Sequence, residues 1–160
     1  MERIIQLLVS AALAFGAVGQ TVPDFTAKTL SGETISSSSI KGKVVVIHFW
    51  ATWCQACMLE MPAFSDYYKK HRDQGLVLLA VSMDKDADLA KARAMSKDFP
   101  FQVAFNKDSN FKKFGRIWHM PMTFLIDRQG ILREDDWNGD KDKGIDGPAL
   151  EKTVTPWLQK

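Results

Sequence analysis

Two cysteines, three histidines and two tyrosines are the whole supply of those residues in this 160-residue chain. So few cysteines cannot build the disulfide framework of a small secreted scaffold, and one pair supplies half of a four-cysteine zinc site. Charge of one sign is also scarce. The 21 Lys and Arg against 19 Asp and Glu leave a formal net charge of +2, too little to point to a nucleic acid or an acidic membrane as partner. No apolar run reaches the roughly 20 residues that a membrane-spanning helix needs. Asp84, Asp86 and Asp88 alternate, but the Gly and the closing Glu of a calcium-binding EF-hand loop are missing. Internal repeats and a second domain are absent too. What remains is the length and composition of one globular domain, 46% hydrophobic and 25% charged.

Residues 1–19 differ from the rest. Glu2 and Arg3 precede an uncharged run, Ile4–Val18, and Ala17 and Gly19 are the small residues of a cut ahead of Gln20. This segment is read as a secretory signal peptide, with a retained N-terminal anchor as the competing reading and residues 20–160 as one domain. No cysteine lies near the cut, so a lipoprotein signal is excluded.

Along the domain, Gln20–Phe25 reads as an extended arm held by Pro23. Ala27–Leu30 and Glu33–Ile35 flank a Ser31–Gly32 turn. Val44–Trp50 and Leu76–Ser82 are continuous apolar runs that suit strands covered on both faces. Between them a helix runs to about Arg72, with Met58, Met61, Phe64, Tyr67 and Tyr68 as its inner face and His71 as a surface complement to the helix dipole. Asp84–Asp88 reads as a solvated helix start, Leu89–Lys97 as a helix, and Ser109–Phe114 as a short helix stopped by Gly115. Met122–Ile126 and Ile131–Trp137 form a hairpin across Asp127–Gly130. After the charged, Gly-rich loop Asn138–Gly147, a closing amphipathic helix starts at Pro148 and is interrupted at Pro156.

The chemistry concentrates in Val44–Pro62, VVVIHFWATWCQACMLEMP. Cys54 and Cys57 stand as C-x-x-C where the strand gives way to a helix. A helix N-terminus presents unpaired N–H groups and partial positive charge, which favour a thiolate. Cys54, at the exposed start, is the expected nucleophile. Cys57, one turn inward, is the expected resolving partner. A purely structural role is disfavoured, because so short a loop adds little stability.

WATWCQAC followed by Met61–Pro62 resembles the thioredoxin superfamily, and within it the exported TlpA/ResA-like branch. Pro23–Asp24–Phe25, Leu30–Ser31–Gly32–Glu33, Lys41–Gly42–Lys43 and Met120–Pro121–Met122–Thr123–Phe124–Leu125–Ile126–Asp127 resemble that branch in the same order, from about Val22 to the C-terminus. The resemblance implies a thioredoxin-like α/β fold: a mixed central sheet, helices on both faces and an N-terminal β extension. It implies that Pro121 is cis and lies against the cysteine pair, leaving the backbone of Met120 free to pair with a substrate strand. Trp53 then shields the cysteines and joins the docking surface, and Trp118 enlarges its apolar rim. Ala56 departs from the proline that many relatives carry before the second cysteine, which leaves the direction of electron flow open.

Three further residues are candidates. Glu60 stands where the branch often has a glutamate near the site; it is read either as proton acceptor for Cys57 or as a solvated helix charge. His48 falls where cytoplasmic thioredoxins have a buried aspartate and this branch more often asparagine. It is read as a core histidine bonded to backbone, or as a base reaching Cys57. His119 is placed on the rim of the site, contacting substrate or raising the positive field.

The leading reading is a thiol–disulfide oxidoreductase outside the cytoplasm, reducing client disulfides and recharged by a membrane electron donor. It is expected to be monomeric, to need no cofactor or metal and to bind no nucleic acid. The resemblance suggests apocytochrome c or copper-site assembly proteins as clients. The competing readings are a disulfide-introducing oxidant, a copper-handling protein using Cys54, Cys57 and a histidine, and a peroxidase. The C-x-x-C spacing argues against copper. The Ala51–Thr52–Trp53 approach lacks the Pro/Thr-rich loop of peroxiredoxin-like chains.

Overall fold

A computed structural model describes residues 17–139 and 143–160. The expected signal segment, residues 1–19, lies almost wholly outside the described residues. Among those described, no helix is long and apolar enough to cross a membrane.

The described residues build seven strands: β1 (Thr26–Thr29), β2 (Thr34–Ser36), β3 (Val44–Trp50), β4 (Leu76–Ser82), β5 (Gln102–Asn110), β6 (Met122–Ile126) and β7 (Leu132–Glu134). Four helices accompany them: α1 (Gln55–His71), α2 (Leu89–Met95), α3 (Gly147–Thr153) and α4 (Thr155–Leu158). One mixed sheet runs β2-β1-β5-β4-β3-β6-β7. The parallel pairs β3–β4 and β4–β5 form its middle, and antiparallel pairs flank them on both sides.

All seven residues of β3 are buried, as its apolar sequence requires. Alternation sends them to opposite faces. Val44, Val46 and Trp50 join Met61, Phe64 and Tyr67 of α1, Ala92 of α2, Leu150 of α3 and Leu158 of α4. Val45, Ile47 and Phe49 join Val22, Phe25, Phe111 and Phe124 on the other face. There the cover is the N-terminal arm and a 3₁₀ turn, Lys112–Phe114, instead of a long helix. The arm is fastened by Gly19 N–H to the Leu132 carbonyl at 2.8 Å and Val22 N–H to the Gly130 carbonyl at 2.8 Å. At the end of the sheet where β3 and β4 begin, the Arg128 guanidinium donates to the carbonyls of Gly42, Gln74 and Leu158 at 2.8–2.9 Å, joining two strand starts to the last helix.

Three local expectations are corrected, and the interruption expected at Pro156 is found. Ser109 and Asn110 continue β5, because β1 pairs with them (Thr26 opposite Asn110, Ala27 opposite Ser109); only Lys112–Phe114 coils. Asp84 is buried, accepting hydrogen bonds from the Thr52 amide and hydroxyl and the Ser82 hydroxyl. His71 is buried under Tyr67 with its Nε2 3.2 Å from Glu151. Pro156 divides the closing helix in two and sits in the first turn of α4, where its missing N–H costs no hydrogen bond.

Phe124 is 1% exposed and meets Phe49 and Phe114 edge to face, at 5.7 and 5.3 Å between ring centroids. Phe124→Ala is expected to cost about 3–5 kcal/mol, read as a lower urea midpoint at an unchanged slope.

Candidate active site

The site forms where β3 ends and α1 begins. β3 delivers the chain to Ala51–Thr52–Trp53, and buried Asp84 holds that turn through the Thr52 amide and hydroxyl. Cys54 follows as N-cap of α1 in extended conformation, its Sγ accepting the Cys57 amide at 3.1 Å. This bond satisfies one of the orphan N–H groups of the first helical turn. Cys54 and Cys57 are joined as a disulfide with S–S 2.01 Å. Cys54 keeps 6% of its surface and Cys57 none, so a partner sulfur can approach only Cys54. Cys54 is thus less open than its sequence position implied, because it belongs to the same buried cluster as Trp50, Ala51 and Met61. No acidic side chain occupies the first turn of α1, and Lys69, Lys70 and His71 occupy the last. The first leaves nothing to repel negative charge at the Cys54 end, and the second complements the opposite end of the helix dipole.

The second wall comes from β6. The antiparallel register pairs Phe49 with Met122, which sets Met120–Pro121 beside the exit of β3. The Met120–Pro121 peptide bond is cis. Met120 and Pro121 are half-buried, and Met120 packs against both cores. Trp53, next to Cys54 in the chain, and Trp118, two residues before Met120, are exposed. His119 is not free on the rim: its Nε2 lies 2.8 Å from Asp136 Oδ2, and its ring meets Trp118 edge to face. Asp136 holds that position with φ 51°, in the left-handed region.

Behind the disulfide, Glu60 lies one turn beyond Cys57. It is buried, which rules out the solvated-charge reading. Its Oε1 accepts the Ile145 amide at 2.8 Å, and a Cβ on Gly144 would fall 2.6 Å from that oxygen. Burial pushes the Glu60 carboxyl up to about 7, with the Ile145 N–H pulling the other way. His48 is fully enclosed, its ring 4.6 Å from that of Phe64. Its Nδ1 lies 2.9 Å from the hydroxyl of Thr123, its cross-strand neighbour, so its partner is a side chain and not the expected backbone group. Its Nε2 points to Glu60 Oε2 at 3.9 Å, and the ring makes no hydrogen bond to Cys57. Burial drives the imidazole down to about 3, so His48 is neutral at physiological pH.

The disulfide therefore has one reachable sulfur, a helix terminus that stabilises its thiolate, an apolar rim and a buried carboxyl one turn behind. Sequence reasoning missed the Gly144–Ile145 cover over Glu60 and the Asp84 anchor of the Trp53 turn. Its only signals were a glycine in a charged loop and an aspartate in a charged run.

A cysteine pair at this helix terminus of this sheet defines the class: a thioredoxin-fold thiol–disulfide oxidoreductase. The chain belongs to the AhpC/TSA family, whose pattern matches residues 18–135. The thiol-disulfide oxidoreductase ResA of Bacillus cereus is 31% identical over 169 residues, covering 98% of this chain and 92% of that protein. ResA of Oceanobacillus iheyensis is 35% identical over 121 residues, covering 73% of this chain; the chain spans 63% of that relative's length. Among solved structures, the thioredoxin domain of a thiol-disulfide oxidoreductase from Bacteroides vulgatus superposes with a TM-score of 0.70 at 26% identity, over 89% of this chain and 98% of that one.

The two buried groups act on stability with opposite signs. Glu60 has a raised folded value, so the stability linked to it is full below about pH 4.5 and falls as pH rises toward 7. His48 has a lowered one, so its contribution is full above about pH 6.5 and lost as pH falls toward 3. Urea denaturation across a pH series is expected to show Glu60→Gln gaining on the native protein between about pH 4.5 and 7, then levelling off. A difference independent of pH would contradict the raised Glu60 value.

Proposed function

We propose that the protein reduces disulfides of exported client proteins through the Cys54–Cys57 couple and is returned to the dithiol by a membrane electron donor. The observation that carries this reading is the asymmetry of the pair: Cys54 is the sulfur with surface left, at the helix N-terminus, and Cys57 is sealed behind it. In the reduced protein the Cys54 thiolate attacks a client disulfide, forming a mixed disulfide and releasing one client thiolate. Cys57 then loses its proton to Glu60 and attacks Cys54 Sγ. The Cys54–client bond breaks, the second client sulfur leaves as thiolate and the intramolecular disulfide returns. Two electrons pass to the client.

Trp53, Trp118, Met120 and Pro121 form the docking rim in this reading, with the Met120 backbone lying alongside the client strand. Exposed aromatics beside a recessed sulfur support that role. His119, oriented by Asp136, borders the same rim. Export rests on the N-terminal segment and on the resemblance to the TlpA/ResA-like branch, from which apocytochrome c and copper-site assembly proteins follow as client classes. The copper-handling alternative gains nothing from the geometry: His119 is engaged by Asp136, and no set of three His, Cys, Asp or Glu among the described residues is arranged to hold a metal ion.

Cys57→Ser is expected to accumulate a mixed disulfide between Cys54 and a disulfide-bearing client, seen as a thiol-reversible mass adduct, whereas Cys54→Ser forms none. An adduct on Cys57 in the Cys54→Ser protein, equal in yield, would overturn the assignment of nucleophile and resolving cysteine.

A further inference from the structure

Two buried polar atoms face each other behind the disulfide, and neither has a hydrogen-bond partner among the described residues: His48 Nε2 and Glu60 Oε2. They are 3.9 Å apart. That is too long for a formed hydrogen bond and short enough that a small swing of the carboxyl makes one. Every other approach to the two groups is taken. From β6, the Thr123 hydroxyl occupies His48 Nδ1; from α1, Phe64 covers the imidazole ring; and from the loop before α3, the Ile145 amide occupies Glu60 Oε1. No other charged side chain of the described residues pairs with either group. The remaining titratable neighbour on the same helix face is Cys57, one turn before Glu60.

This arrangement is costly to keep. His48 is the one polar residue in a strand of seven buried positions, and an enclosed polar atom without a partner is destabilising. An apolar side chain at residue 48 would satisfy the fold. The polar pair thus points to proton chemistry.

We propose that His48 is a positioning residue for the redox reaction: its Nε2 holds the Oε2 of Glu60 and so sets how readily Glu60 takes the proton that Cys57 releases. This rests on the reading of Glu60 as proton acceptor. The balance is one proton: the Cys57 S–H bond breaks as its sulfur attacks Cys54 Sγ, the proton moves to Glu60, and the client sulfur leaves with the electron pair of the broken disulfide. His48 neither gives nor takes a proton in this step. Fixed by Thr123, the neutral imidazole gives the carboxylate its one polar neighbour on the Oε2 side and keeps it ionised, hence able to accept.

The test uses the reduced full-length protein and two readouts across a pH series: the infrared carbonyl band of the protonated Glu60 carboxyl, and the ultraviolet absorbance of thiolate. His48→Leu is expected to raise the Glu60 midpoint by about one pH unit, a tenfold change in proton affinity. Resolution of a mixed disulfide by Cys57 at pH 7 should slow about fivefold with it, as the ionised share of Glu60 falls from about a half to about a tenth. In the Glu60→Gln background, His48→Leu should leave the Cys57 titration where Glu60→Gln alone put it. Thr123→Val, close to isosteric, is expected to raise the Glu60 midpoint in the same direction and serves if His48→Leu does not fold. A Glu60 midpoint unmoved by either variant overturns this proposal alone. A Cys57 titration that shifts equally with Gln at residue 60 also overturns it, since His48 then acts on the thiol without Glu60. A Cys57 titration unchanged by Glu60→Gln by itself overturns the acceptor reading and this proposal together.

Discussion

The Cys57 amide to Cys54 Sγ hydrogen bond, 3.1 Å long at the first turn of α1, is the interaction on which the site depends. It makes the reactive sulfur the helix cap. The group that must carry negative charge during exchange thereby sits on orphan N–H donors and the positive end of a helix of 17 residues. The bond exists only because α1 starts at one place, and that place is fixed by β3. A strand with every residue buried between two cores has no freedom to slide, since a shift of one position would exchange its two faces. β3 therefore sets the register of β6, which brings Met120–Pro121 alongside, and it places His48 under the helix. Cys54, Met120–Pro121 and the His48–Glu60 pair share one strand as origin.

The same burial divides labour within the pair. Cys54 keeps a little surface while Cys57 and Glu60 are sealed, because one turn of helix carries the chain from the surface into the core. The cover over Glu60 comes from far along the chain, at Gly144–Ile145 just before α3, where the absence of a Cβ lets backbone approach a carboxyl oxygen. One helix thus carries both the cysteine pair and Glu60, and a distant segment closes over the carboxyl.

Much of this was legible in the sequence. β3 and β4 were readable to the residue because their apolar runs are continuous and bounded by Lys43 and Gly75. The cysteine pair, its helix and the proline turn were readable because their chemistry is local: three residues of spacing, a helix start and a resemblance carried by short motifs. What failed was set by contacts across the fold. Ser109–Asn110 has a polar, helix-compatible sequence, yet pairing with β1 extends it. Asp84 and His71 look like surface charges by neighbourhood, and Thr52 and Glu151, both distant in sequence, take them inside. Whether Glu60 was solvated or buried turned on a loop 85 residues away. A histidine in a buried strand advertised itself as unusual, but Thr123 and Glu60 as its neighbours follow only from register and packing.

The equilibrium reduction potential of the Cys54–Cys57 couple, measured in a glutathione or dithiothreitol redox buffer, tests the reductase assignment most directly. A dedicated reductase is expected to lie near thioredoxin, at about −270 mV. A value near that of DsbA, about −120 mV, would contradict it and make the protein an oxidant that introduces disulfides into its clients.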